Sequence, residues 1–162
     1  MDTENFFDTV IKPHPLFNSN QRCDLIELLY PPFAERVIDA MYALRQSGIE
    51  VGVFETYRSS PRQLKLYVEK RTKIKSNGMH HYGVACDLVP KVGGQWKWDV
   101  GQPTWQKIGS VGKRNGLTWG GDWKTFVDSP HFQAIPVSAQ SEIRALNYSV
   151  IKLPDGTGVN YA

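Results

Sequence analysis

The chain has 162 residues, 41% of them hydrophobic and 22% charged, which is enough for one domain with a real core and too apolar for a disordered segment. Nineteen lysines and arginines against sixteen acids leave a net charge of only +3. That is short of the basic excess of a nucleic-acid binder, and no stretch is apolar for long enough to insert in a membrane.

Residues 1–20, with Pro13 and Pro15, read as a partly ordered N-terminal arm carrying one short helix. Leu25, Leu28 and Leu29 share one face of a short helix over 21–30, which Pro31-Pro32 should end. Phe33, Val37, Ala40, Met41 and Leu44 recur at helical spacing, so an amphipathic helix is expected over 32–46, stopped by Gly48. Residues 49–54 alternate as a strand that delivers Tyr57-Arg58 at its end. Ser60 as cap and Pro61 at the first helical position start the next helix, running to about Arg71.

Arg58 therefore sits on a strand-to-helix turn, where a scaffold fixes a side chain and a loop exposes it. Its guanidinium can hold a substrate carboxylate or polarise a carbonyl. Gln63, one turn into the helix, is a second polar candidate for substrate contact. The basic run over 70–75 is read as a solvated helix end and loop, since lysine and arginine favour helix C-termini through the macrodipole.

Residues 84–89 read as a buried strand punctuated by Pro90 and Gly93-Gly94. Asp87 is the anomaly there, because a carboxylate inside an apolar run must be paired, hydrogen-bonded or bound to metal. Gly83 lets the chain turn sharply and brings His80 back alongside it. Residues 95–99 form a hairpin partner, 103–115 a helix with Trp105, Ile108 and Val111 on one face, and 131–135 a strand. Ser138 should cap a final helix through Asn147, followed by a turn-rich tail over 153–158. Cys23 and Cys86 make no disulfide framework and are expected to be reduced packing residues. Of the five tryptophans, some should line a groove and the rest the core.

Asp128-Ser129-Pro130-His131 adds a carboxylate three residues before a histidine, with a proline stiffening the backbone between them. Together the two stretches supply two imidazoles, one carboxylate ligand and one spare carboxylate. Catalytic zinc takes three protein ligands and keeps a fourth position open, and a carboxylate beside it can take a proton.

The pattern His80-x-x-Gly83-x-Ala85-x-Asp87, followed by Asp128-x-Pro130-His131-Phe132, resembles the zinc peptidases that cut peptidoglycan stem peptides. These include D-alanyl-D-alanine carboxypeptidases, D-Ala-D-Ala dipeptidases and L-alanyl-D-glutamate endopeptidases of phage endolysins. Trp119-Gly120-Gly121-Asp122-Trp123 and Asp128–Gln133 look most like the last group. The resemblance implies zinc ligands at His80, Asp87 and His131, a catalytic base at Asp128, and a substrate role for Arg58 in its Tyr-Arg-Ser motif. Two positions depart from the family: Gly78 stands where it usually carries serine, and Glu55-Thr56 where it tends to have Ser-Gly.

The expected fold is α+β, with helices packed on a small, mainly antiparallel sheet and the zinc on strands and adjoining loops. A single catalytic domain over 1–162, acting as a monomer on peptidoglycan stem peptides, is expected, with neither nucleic acid nor membrane as partner. Residues 1–8 carry acids where a signal peptide carries bases, so the chain should stay in the cytoplasm until released to the wall, as a phage or prophage endolysin does. A D,D-carboxypeptidase or dipeptidase would share every role named, and an inactive wall-binding module is the remaining alternative.

Overall fold

The computed structural model describes residues 5–152, and the turn-rich tail read over 153–158 lies outside them. Helix α1, Pro31–Gln46, buries Phe33, Val37, Ala40 and Leu44 on the predicted stripe. Pro31-Pro32 begins this helix and does not end another, because proline's fixed φ and missing N–H suit a first helical turn. The helix expected over 21–30 shrinks to one 3-10 turn, Ile26–Leu28. Its carbonyls are engaged elsewhere: Thr56 donates its N–H to Cys23 O at 2.7 Å and its hydroxyl to Leu25 O at 2.9 Å.

Strand β1 is Val51–Glu55 and helix α2 is Ser60–Val68. The cap of α2 is Ser59, whose Oγ accepts from Arg62 N at 3.0 Å, with Pro61 one position later than expected. The helix closes before Arg71 because Lys70 turns left-handed, φ +60°, and Arg71 N reaches back to Leu66 O at 2.8 Å. The basic run beyond is largely exposed, as a solvated loop should be.

Strand β2, Ala85–Val92, passes through Pro90 where an end was expected. Lys91 N bonds Glu50 O on the β1 side, and Leu88 N bonds Pro130 O on the opposite side. By alternation the missing N–H of Pro90 falls on that opposite side, beyond the end of β5, where Lys97 N still donates to Pro90 O at 2.8 Å; the strand therefore runs on into its hairpin with β3 at the loss of one reciprocal bond. Strands β3, Gln95–Trp96, β4, Thr118–Trp119, and β5, His131–Gln133, complete the sheet. Its order is β1-β2-β5-β4, every ladder antiparallel, with β3 folded back on β2. This is the expected α+β architecture.

Helix α3, Gln102–Arg114, buries Trp105, Ile108 and Val111. It lies unusually close to the sheet at Gly109 and Gly112, where a Cβ would come within 2.2 Å of the Trp119 and Phe132 rings respectively. The last helix, α4, is shorter than expected, Gln140–Arg144, and follows a 3-10 turn, Val137–Ala139, without a side-chain cap.

The N-terminal arm is more than a partly ordered extension. Phe6 and Ile11 are buried in the core, Tyr57 donates its hydroxyl to Phe17 O at 2.6 Å, and Ser59 bonds Ser19 O. Gly83 allows this close packing: it has φ +71°, and a Cβ there would meet Leu28 O at 2.5 Å and the Phe6 ring at 2.8 Å. Cys23 and Cys86 are free and buried, and burial pushes the Cys86 thiol well above its usual value. Among the described residues no helix is long and apolar enough to cross a membrane.

Candidate metal centre and active site

Three adjacent strands place their functional side chains in one row. Glu55 on β1 is paired with Asp87 on β2, and Asp87 with His131 on β5, so the three project from the same face of the sheet. A bulge lies between Val53 and Glu55. The extra residue, Phe54, is what brings Glu55 rather than its neighbour opposite Asp87. His80 arrives from the 3-10 turn Met79–Tyr82, just before the left-handed Gly83.

His80, Asp87 and His131 each offer a ligand atom within 4.8 Å of the others. His80 Nε2 stands 3.5 Å and His131 Nδ1 3.7 Å from Asp87 Oδ1. Their tautomers follow from the partners of the other ring nitrogens. Thr56 O can only accept, so His80 Nδ1, 2.8 Å away, carries the proton and Nε2 keeps its lone pair. Gln133 donates its amide N–H to Ile135 O at 2.8 Å. Its oxygen therefore accepts from His131 Nε2 at 2.9 Å, leaving Nδ1 free. Two lone pairs and a carboxylate converge, each imidazole oriented from behind, which is a donor set that fits zinc.

Burial alone would raise the pKa of Asp87, but the surrounding His80, His131 and Arg58 outweigh it and hold Asp87 well below the usual carboxylate range. Asp128 goes the other way. Burial, helped by the charge of Asp87, prevails over His131, His80 and Arg58, so its carboxyl is raised. Its Oδ2 is 3.9 Å from His131 Nδ1, beside the ligands and more basic than an ordinary aspartate. The sequence around it fixes this position: Asp128 N bonds Gly120 O at 3.0 Å, and Trp119 Nε1 bonds Ser129 O at 2.7 Å. The Trp123 ring then packs on His131, centroids 5.0 Å apart.

Arg58 reaches the row from its strand-to-helix turn. Its Nη2 lies 2.8 Å from Glu55 Oε1 and 3.7 Å from Asp87 Oδ2, and Nη1 donates to Gln63 Oε1 at 3.3 Å. Gln63 is buried and its Nε2 donates to Ile74 O at 2.7 Å, so its amide holds Arg58 with one end and the 70–75 loop with the other. Glu55 also pairs with Arg62 Nε at 3.0 Å. Removing one member of a buried ion network leaves the rest uncompensated, at a cost of about 3–5 kcal/mol. Glu55→Gln should therefore lose about that much stability in chemical denaturation, and a loss below about 1 kcal/mol, the worth of an exposed pair, would refute this role.

His81 turns away from the ligands. Its Nδ1 lies 3.1 Å from Arg58 O, and its ring is packed among Phe7, Phe17 and Tyr57. Burial keeps it below the usual histidine pKa, against the pull of the Arg58 carbonyl. All six expected site residues, His80, Asp87, His131, Asp128, Arg58 and Gln63, are thus gathered in one place. Glu55, Thr56 and Gln133 were not anticipated. Gln133 was findable, since it lies two residues after His131 on the same face of a strand.

Two cavities adjoin this row, and both are lined by Arg58, Thr72, Phe126 and Asp128. One continues past Gln63, Trp123 and Arg144, and the other past Phe54, Arg62 and Trp98. Trp98 and Trp123 are the expected groove tryptophans, whereas Trp105 and Trp119 are buried in the core. A separate apolar cleft lined by Ile38, Met41 and Val53 shares no residue with this site.

A two-histidine, one-aspartate centre with an adjacent carboxylate, set in a groove on an antiparallel sheet, defines a metallohydrolase. Residues 71–134 match the D-alanyl-D-alanine carboxypeptidase family of M15 peptidases. The peptidoglycan L-alanyl-D-glutamate endopeptidase CwlK of Bacillus subtilis is 35% identical over 123 residues, 65% of this chain and 73% of that protein. The L-alanyl-D-glutamate peptidase of Listeria phage A118 is 35% identical over 92 residues, 54% of this chain but only 31% of the phage protein. Among solved structures, the Serratia marcescens L-Ala D-Glu endopeptidase ChiX superposes with a TM-score of 0.56 at 25% identity, over 71% of this chain and 90% of that one. The D,D-pentapeptidase VanY in complex with Zn(II) shares the fold, with a TM-score of 0.52 at 15% identity over 72% of this chain and 78% of that one. The chain belongs to this family of zinc metallopeptidases that act on peptidoglycan.

Proposed function

We propose that the protein hydrolyses the bond between L-alanine and D-glutamate in peptidoglycan stem peptides, with zinc held by His80, Asp87 and His131. The observation that carries this reading is a pair of cavities at the site, both lined by Arg58 and Asp128. An endopeptidase must pass substrate in both directions from the scissile bond. A carboxypeptidase or dipeptidase instead ends its pocket at a group that reads a terminal carboxylate, and space on two sides of Arg58 disfavours that alternative. An inactive wall-binding module has no use for a complete ligand set with a base beside it.

Zinc held by His80, Asp87 and His131 would supply Lewis acidity for the scissile carbonyl and for a bound water. Asp128, raised in pKa and next to the ligands, accepts the proton and returns it to the leaving amine. Arg58, whose charge survives burial because Glu55 and Asp87 offset the desolvation, orients the substrate. Gln63 and Glu55 hold its guanidinium in place. The chain acts as a monomer on cell-wall peptide, and the phage relative supports a lytic enzyme held in the cytoplasm and released to the wall at lysis.

Mass spectrometry of purified walls after digestion tests the bond. Free stem peptides beginning with D-glutamate are expected. Release of D-alanine alone, with stems still attached to muramic acid, would overturn the assignment.

A further inference from the structure

Near the metal ligands, the cavity that runs past Gln63 and Trp123 has one cation that the mechanism does not use. Arg144, on α4, lines it together with Gly78. One of its guanidinium N–H groups donates to Asn77 O at 2.6 Å, and Asn77 is itself held by Ser60 Oγ at 2.9 Å. The Arg144 head is therefore fixed at the backbone just before Gly78. Among the described residues no carboxylate lies within ion-pair distance of it. Arg58 in the same cavity is already offset by Glu55 and Asp87.

The space beside Gly78 is open: a Cβ there would meet nothing within 4 Å. The glycine leaves room for a substrate group to approach, and Arg144 brings four further N–H donors to the same spot.

We propose that Arg144 reads the free α-carboxylate of the D-glutamate residue, entering over Gly78. The inference rests on the L-alanyl-D-glutamate reading above. In that substrate the α-carboxylate is attached to the carbon next to the scissile nitrogen, so it must lie beside the metal on the leaving-group side. A guanidinium matches a carboxylate in planar, two-point fashion, and loses its charge-assisted bonds when the carboxylate becomes a neutral amide. Arg144 thereby makes the enzyme selective for D-glutamyl over D-isoglutaminyl stems.

The test uses zinc-loaded full-length protein and two soluble stem tetrapeptides, identical except for a carboxylate or a carboxamide at the D-glutamate α-position. Wild type should prefer the carboxylate form. Arg144→Gln should lower kcat/KM on that form about tenfold, the lower range for a hydrogen bond to a charged group, chiefly through KM. It should leave the amide form unchanged, so that the preference disappears with zinc content intact. An equal loss on both peptides, or no loss on either, would overturn the role of Arg144 while leaving the bond assignment standing. Failure of wild type to cut the L-alanyl-D-glutamate bond in either peptide would overturn the assignment itself, and this inference with it.

Discussion

Asp87→Ala should leave the protein without zinc and without measurable wall hydrolysis. Asp87 is the only carboxylate among the three ligand residues, and it stands between both imidazoles, 3.5 Å from His80 and 3.7 Å from His131. Its low pKa keeps it a carboxylate over the whole working range. Without it the two imidazoles form a neutral pair that gives a divalent cation too little to hold. Chelation of the wild type should have the same effect on activity. Chelation should also lower the melting temperature, because a ligand that binds only the folded state stabilises it, by about 2.7 kcal/mol at a hundredfold excess over Kd. His81→Ala is the control: it should keep zinc at full stoichiometry, since His81 points to Arg58 O and to the aromatic rings of the arm. Metal analysis of the two variants decides the matter, and zinc retained in Asp87→Ala would mean that the ligand set is wrong.

Asp128→Asn should separate proton transfer from metal binding. The amide has nearly the shape of the carboxylate and preserves the loop held by Gly120 O and Trp119, so zinc should remain at one equivalent. The rate should fall by about two to four orders of magnitude, the usual contribution of a general base. Asp128 Oδ2 already lies 3.9 Å from His131 Nδ1, which makes the alternative specific: if the variant loses zinc, Asp128 is a fourth ligand and the base lies elsewhere. Steady-state kinetics on a stem peptide, paired with metal analysis of the same preparation, distinguishes these outcomes.

Helices α1 and α3 were legible because their apolar residues repeat at the helical period over three or more turns, with Gly48 or Asn115-Gly116 at the end. The segment 21–30 carried a similar but shorter pattern and did not become a helix. There Thr56, some thirty residues away, takes the carbonyls a helix would have used. Ending β2 at Pro90 failed for a related reason, since whether a missing N–H matters depends on which neighbour that edge of the strand faces. The arm looked loose because Pro13 and Pro15 interrupt it, yet Phe6, Phe7 and Phe17 pack onto Tyr30, His81 and Tyr57.

The candidate metal ligands and the candidate base were readable from the chain alone, because a histidine and a buried aspartate flanking a glycine turn, and a carboxylate stiffened against a histidine by proline, are local patterns. Local patterns carry the chemistry of single side chains. What holds those side chains in place was decided by tertiary structure. The choice between His80 and His81 as ligand is made by Thr56 O on one ring and the arm's aromatic rings on the other. The bulge at Phe54 turns Glu55 inward to Arg58 and Arg62. These contacts join residues that are far apart in the chain, and the parity of a strand changes with one extra residue, so their geometry exists only after β1, β2 and β5 have paired.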